Sequence, residues 1–136
     1  MPVKRLSEAK SRLTHVLPPE RRRRLVLAML VRTLRVLRRA KGLDGIWVVS
    51  PDRQVRALAE AYDACVWDAE TPSEGMNGAL VQATEQVNAQ GGTAVLVLPA
   101  DLPRLRPPCV ERLLLNLQPP TVVIAPDHAE RGTNAL

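Results

Sequence analysis

The stretch Ala94-Val95-Leu96-Val97-Leu98-Pro99-Ala100-Asp101 decides the predicted fold. Its first five residues form an apolar run bounded by turn residues, which is typical of a strand buried on both faces of a parallel sheet. Asp101 follows this strand directly. Because ligands of open parallel sheets bind beyond the carboxyl ends of the strands, we expect Asp101 at a functional edge of the sheet.

Helical and strand patterns alternate on both sides of this run. Apolar residues at three- and four-residue spacing, after Pro18 and Pro19, predict a long amphipathic helix. The predicted elements are helices at 19–40, 52–61, 77–89 and 108–117 and strands at 45–50, 64–67, 94–98 and 122–125. This order indicates an α/β, Rossmann-like fold with a mainly parallel sheet and helices on both faces, in a single domain over residues 1–136. The sheet lacks an opening and a closing element, so we expect an incomplete domain.

The charge is unevenly distributed. Residues 1–41 contain thirteen Lys or Arg residues against two acids, whereas the remaining residues contain six against twelve. An electropositive first third suits a polyanionic ligand, either a nucleic acid or a triphosphate. The longest apolar run, Leu25–Val31, is far shorter than the roughly 20 residues of a membrane span, so we expect a cytoplasmic protein without membrane contact. Cys65 and Cys109 stand alone in apolar contexts, which predicts buried free thiols.

Residues 4–12, which we call the basic loop, are the first candidate site. The loop carries Lys4, Arg5, Lys10, Ser11 and Arg12 just before a predicted helix. Basic side chains, a hydroxyl group and free amides at such a junction can hold phosphates. The spacing of a P-loop is absent. A solvated basic surface is the alternative interpretation of the same pattern.

Three further segments carry candidate groups. Asp101 offers a hard carboxylate for Mg²⁺, with a turn or helix cap as the alternative. Asn77 offers a donor and an acceptor for a base or a ribose, or else an ordinary helix cap. The loop at 131–134 is a plausible contact for a small anionic acceptor.

His15 and His128 have no partner at triad or metal spacing, so we expect neither to be catalytic. Arg21–Arg24 fit a solvated helix face, with contact to a polyanion as the alternative.

Together these segments closely resemble the 2-phospho-L-lactate / phosphoenolpyruvate guanylyltransferase family of coenzyme F(420) biosynthesis. The resemblance implies a fold similar to the GT-A-type nucleotidyltransferases, which include the molybdenum-cofactor guanylyltransferases. The matching stretches occur in the family's order and are PVKRLSEAKSRL, LPPERRRRLVLAML, VVSPD, GMNGAL, VLVLPADLP, VVIAPD and GTNAL.

The resemblance also implies roles for individual residues. The nucleoside would be approached by Gly75 and Asn77, and the acceptor by Thr133 and Asn134. Asp101 would be a Mg²⁺ ligand and a catalytic residue. The GTP phosphates would lie along the basic loop, in which Lys4 and Arg12 would be catalytic and Lys10 and Ser11 would bind the nucleotide.

The implied reaction is attack by an acceptor phosphate oxygen on the α-phosphorus of GTP, with departure of pyrophosphate. The implied acceptor is a small phosphorylated acid, either phosphoenolpyruvate or 2-phospho-L-lactate. Family members have a full strand before the basic loop and continue after residue 136, so the resemblance implies truncation at both ends. A partner copy in a homodimer could supply missing parts of the site.

Three other functions stay open on the residues alone. One is a related molybdenum-cofactor-type or sugar nucleotidyltransferase, because fold does not fix function. Another is a nucleic-acid-binding module that uses the basic first third of the chain. The third is a truncated, non-catalytic protein that still binds nucleotide.

Overall fold

The computed structural model describes residues 1–69, 75–117, 122–126 and 133–136. All four predicted helices and the first two predicted strands are confirmed, with boundaries shifted by a few residues. The elements in chain order are a 3₁₀ helix (Ser11–Leu13), α1 (Pro19–Leu37), β1 (Trp47–Ser50), α2 (Arg53–Glu60), β2 (Cys65–Asp68), α3 (Gly75–Ala89), α4 (Pro107–Leu115), β3 (Ala125–Pro126) and β4 (Thr133–Ala135).

The parallel sheet is built around β1. On one side, β2 pairs with it in parallel, from Trp47 opposite Cys65 to Ser50 opposite Asp68. On the other side, the first residues of the chain form a parallel bridge, in which Val3 N–H donates to Val49 O at 2.9 Å. The basic loop therefore starts at the carboxyl end of β1.

Helices cover both faces of β1, as predicted. Val48 is fully buried in a core that includes Leu30 of α1, Val55 of α2 and Val110 of α4. Val49 faces the opposite way, into a smaller core that α3 builds with Ala79 and Ala83. Successive strand residues point to opposite faces of a sheet, so this alternation gives an α/β arrangement with two layers of helices.

The predicted strand at 94–98 is wrong. Among the described residues this segment has no strand ladder, and its backbone pairs with Leu136, whose N–H donates to Val97 O at 3.0 Å. A cleft of about 640 Å³ separates the segment from Trp47 and Val49 of β1. A ladder needs a neighbouring strand about 4.8 Å away, so an apolar run beside a cleft stays unpaired on that side.

The predicted strand at 122–125 is also largely wrong. Among the described residues of this region, the strand covers only Ala125–Pro126 and pairs antiparallel with β4. Val122 and Ile124 are exposed rather than buried. The predicted fourth parallel strand is thus a short hairpin arm.

Two smaller findings concern the surface. Cys65 and Cys109 are exposed free thiols, so the prediction of buried thiols is wrong. The reason is local, since Val110, the residue after Cys109, is the one that α4 buries. No helix in the described part of the chain is both long and apolar enough to cross a membrane.

Candidate functional site

Lys10 and Asp101 form the centre of the site. Lys10 Nζ lies 2.5 Å from Asp101 Oδ2, although 91 residues separate the two along the chain. The Asp101 side chain is 48% exposed and that of Lys10 is 28% exposed, so a ligand can reach both charges. The structure therefore brings together the residues predicted to act on a phosphate and on a metal ion.

Helix α1 fixes the backbone on either side of Asp101. Thr33 is buried, and its hydroxyl group donates to Ala100 O at 3.0 Å. The Arg32 guanidinium group donates to Leu102 O at 3.3 Å and to Leu105 O at 3.2 Å. The turn that carries Asp101 is thus bound to α1 before and after the carboxylate.

The basic loop has a tight turn at Lys10. Lys10 adopts a left-handed backbone conformation with φ 55° and ψ 39°, which costs an L residue about 1 to 2 kcal/mol. Leu13 N–H donates to Lys10 O at 2.9 Å, and the 3₁₀ helix begins at Ser11. Lys4, Ser11 and Arg12 are exposed along this loop. Their side chains are therefore accessible to a ligand.

The same loop is held on its other side by Asp52. Leu6 N–H donates to Asp52 Oδ2 at 2.9 Å. This contact was not predicted from the sequence, in which Pro51 and Asp52 indicate only the start of a helix. The cap itself is present, with Asp52 Oδ1 accepting from Gln54 N–H at 3.0 Å. A bond across 46 residues leaves no periodic signal in the sequence.

Gly75 and Asn77 open α3. Gly75 has φ 66°, a backbone conformation that suits glycine, and Asn77 is exposed in the first turn. Between described residues, no hydrogen bond or ion pair connects either of them to Lys10 or Asp101. Their predicted contact with a nucleoside stays a prediction.

Thr133 and Asn134 lie on β4. Asn134 Nδ2 donates to Pro126 O at 3.1 Å and so closes the β3–β4 hairpin, whereas the Thr133 side chain is exposed. Through the pairing of Leu136 with Val97, β4 lies beside the segment that leads to Asp101. The residues 131 and 132 of this predicted site, and His128, lie outside the described residues.

Arg22 departs from the prediction of a solvated arginine run. Its side chain is buried at the start of α1, and its Nε has no hydrogen-bond partner in the part of the chain that the structure describes. The neighbouring Arg23 is exposed and bonds to Gln54 of α2. The run is therefore divided between the interior and the surface.

The donor set at Asp101 suits Mg²⁺ bound together with a nucleotide. The described residues contain no group of three His, Cys, Asp or Glu side chains that could enclose a metal ion. Magnesium is usually held by one or two carboxylates, with phosphate oxygens and water completing its shell. One exposed carboxylate beside a basic loop fits that pattern.

Comparisons with known proteins show which family the sequence matches. A profile of the MobA-like NTP transferase domain matches residues 11–136. Curated relatives named phosphoenolpyruvate guanylyltransferase include those of Chloroflexus aggregans (39% identical over 100% of this chain and 68% of the relative), Nocardia farcinica (42%, over 98% and 61%) and Rubrobacter xylanophilus (44%, over 100% and 65%). The chain thus spans 61 to 68% of the length of these relatives.

Proposed function

The chain belongs to the phosphoenolpyruvate guanylyltransferase family and carries its MobA-like NTP transferase domain, and from this premise we propose that it transfers GMP from GTP to a small phosphorylated acid. An acceptor phosphate oxygen attacks the α-phosphorus of GTP, a new P–O bond forms, and the bond to the leaving pyrophosphate breaks. The proposed acceptor is phosphoenolpyruvate, as in the names of the relatives. The product would be a precursor in coenzyme F(420) biosynthesis, made in the cytoplasm.

The contact between Lys10 and Asp101 is the observation that carries this proposal. It joins a loop rich in cations to an accessible carboxylate, with 2.5 Å between the charged atoms. A triphosphate and its counterion need these two kinds of group side by side. A nucleic-acid-binding surface would need the cations but gains nothing from the carboxylate.

Each residue of the site has a proposed task. Lys4, Lys10, Ser11 and Arg12 hold the GTP phosphates by charge-assisted hydrogen bonds and orient the α-phosphorus toward the acceptor. Asp101 would hold Mg²⁺, which, when bound, neutralises charge on the phosphate oxygens.

The remaining residues of the site are proposed to contact the nucleoside of GTP and the acceptor. Gly75 and Asn77 contact the nucleoside at the start of α3. Thr133, whose side chain is exposed, contacts the acceptor. Asn134 supports β4 through its bond to Pro126 and reaches the acceptor only if that bond opens.

The experiment is a measurement of pyrophosphate release by the 136-residue chain with Mg²⁺. GTP, ATP and CTP are compared as donors, and phosphoenolpyruvate and 2-phospho-L-lactate as acceptors. We expect release with GTP that depends on phosphoenolpyruvate. Equal release with every nucleotide, or no release from a folded chain, would contradict the proposal, and preference for 2-phospho-L-lactate would overturn the named acceptor.

Two variants with the same chemical change give the control. Asp101→Asn should abolish the release, because it removes the carboxylate at the site. Asp63→Asn changes an exposed carboxylate that pairs with Arg38, and its left-handed backbone (φ 53°) tolerates Asn. Asp63→Asn should therefore release pyrophosphate at the rate of the unmodified chain.

We also propose that the protein forms a homodimer. Leu115, Val122, Ile124 and Leu136 expose large apolar side chains near the end of the described chain. A second copy could cover them. Sedimentation that finds only monomer at micromolar concentration would remove this part of the proposal.

A further inference from the structure

The carboxylate of Asp52 joins two segments that are distant in sequence. Its Oδ1 accepts from Gln54 N–H at 3.0 Å and from Val55 N–H at 3.4 Å, and so caps α2. Its Oδ2 accepts from Leu6 N–H at 2.9 Å, in the middle of the basic loop. One side chain thus fixes both a helix start and a loop, and only the first of these tasks is an ordinary one for an Asp at this position.

Asp52 is itself held in place. Its own N–H donates to Ser50 Oγ at 3.1 Å, and Ser50 is the fully buried last residue of β1. The carboxylate is therefore attached to the carboxyl end of the central strand. Its position is as well defined as that of the strand.

Leu6 is anchored from two directions. Its backbone is bound by Asp52, while its side chain is buried in the larger core with Met1 and Val3. The residues on either side of it, Arg5 and Ser7, are exposed. Leu6 is thus the fixed point of the loop, between Lys4 and the cations from Lys10 onward.

The second tie of the loop is of a different kind. Lys10 is bound to Asp101 through a flexible side chain, and that bond involves the charges a ligand would use. The tie at Leu6 involves a backbone N–H instead of a side-chain charge. A ligand can therefore displace the Lys10 contact without disturbing the Leu6 contact.

We propose that Asp52 is a positioning residue for the basic loop. By holding the Leu6 amide, it keeps the loop in the conformation that receives the nucleotide phosphates, so less ordering is needed on binding. Asp52 does not contact the nucleotide itself. This inference rests on the proposed role of the loop in binding GTP.

Asp52→Asn separates the two tasks of the carboxylate. The side-chain oxygen of Asn can still cap α2, but its NH₂ group cannot accept a hydrogen bond from Leu6 N–H. Ala57→Gly is the control, because it loosens α2 at an exposed position and leaves Asp52 in place. Both variants should retain the far-ultraviolet circular dichroism of the unmodified chain.

Two measurements then test the proposal. Hydrogen exchange at the Leu6 amide should be at least about tenfold faster in Asp52→Asn without nucleotide, since the amide loses its acceptor. The Kd for a fluorescent GTP analogue should rise about tenfold or more in Asp52→Asn and less than about twofold in Ala57→Gly. A tenfold rise in Kd is the size of change expected when one modest stabilising interaction is lost.

The outcomes are distinguishable. If Leu6 exchange accelerates and GTP affinity stays within twofold, Asp52 is only a cap and a structural tie, and the inference is overturned. If Leu6 exchange is unchanged, the Asp52 contact does not hold the loop, and the inference fails as well. If the unmodified chain does not bind GTP while the exchange responds as expected, the proposed function fails and the structural tie stands.

Discussion

Lys10 and Asp101 neutralise each other at a distance of 2.5 Å between Nζ and Oδ2. A magnesium–nucleotide complex would engage the same two groups, the ammonium group through phosphate oxygens and the carboxylate through the cation. Because both side chains are partly exposed, the pair stabilises the fold by at most about 1 kcal/mol. A bound nucleotide can therefore separate the pair, and each partner then faces a group of opposite charge.

Lys10→Met should weaken GTP binding with little effect on stability. The loss of one charge-assisted hydrogen bond, about 1.5 to 3 kcal/mol, corresponds to an increase in Kd of about 10- to 150-fold. Titration with a fluorescent GTP analogue checks the affinity. Lys41→Met, which removes an exposed lysine just after α1, is the matched control. Equal affinities of the two variants would contradict the role of Lys10.

Asp101→Asn should make GTP binding insensitive to magnesium. In the unmodified chain, removal of Mg²⁺ with a chelator should weaken binding, because the carboxylate then repels the phosphates. In the variant that repulsion is absent, so affinity without Mg²⁺ should equal or exceed that of the unmodified chain. Calorimetric titrations with and without Mg²⁺ make the comparison. A variant that still responds to Mg²⁺ as the unmodified chain does would show that the ion is held elsewhere.

Thr33→Val should destabilise the fold through the turn before Asp101. The change keeps the shape of the side chain but leaves the buried Ala100 carbonyl group without its donor, at about 1 to 3 kcal/mol. Urea denaturation measures the loss. Thr14→Val removes the exposed hydroxyl bond to Ser11 O and should have the smaller effect on the free energy of unfolding. A larger loss of unfolding free energy in Thr14→Val than in Thr33→Val would contradict the role of Thr33 in holding this turn.

A polypeptide made with a free Met1 amine should lose stability in mild acid. Burial lowers the pKa of that amine from 8.0 to about 5. Between these values the unfolded chain binds a proton that the folded chain does not. The free energy of unfolding should therefore fall by about 1.4 kcal/mol per pH unit from pH 8 to pH 5. Below pH 5 the amine is protonated in both states, so the free energy of unfolding no longer changes through this group.

Acetylation of the amine provides the control for the pH effect. The acetylated chain has no titrating group at Met1 but can still donate to Trp47 O. Urea denaturation at a series of pH values should show a smaller slope for the acetylated chain in this window. Identical slopes would assign the acid sensitivity to other groups.

The helices could be predicted from the sequence because their signals are local. Pro18 and Pro19 at the start of α1 and the spacing of its leucines mark the helix within a few residues of its observed ends. The run at 94–98 shows the limit of such reasoning. Its composition predicts a buried strand, but pairing depends on what lies beside it, and a cleft separates it from β1.

Part of the site could also be predicted from local sequence patterns. The sequence predicts Asp101 at a functional edge of the sheet and Lys10 in a phosphate-binding loop, and the structure brings the two side chains into contact. The tie between Asp52 and Leu6 could not be predicted, because neither residue type signals a partner 46 positions away. The burial of Arg22 within a run of four arginines is also set by tertiary packing rather than by composition.

The transfer of the α-phosphorus of GTP to phosphoenolpyruvate tests the account most directly. The 136-residue chain would be incubated with Mg²⁺, phosphoenolpyruvate and GTP labelled with radioactive phosphorus at either the α or the γ position. We predict that the α label appears in a new acidic product only when phosphoenolpyruvate is present, and that the γ label appears in pyrophosphate. An α label that stays in GTP, or moves only into free GMP, would contradict the proposed guanylyl transfer.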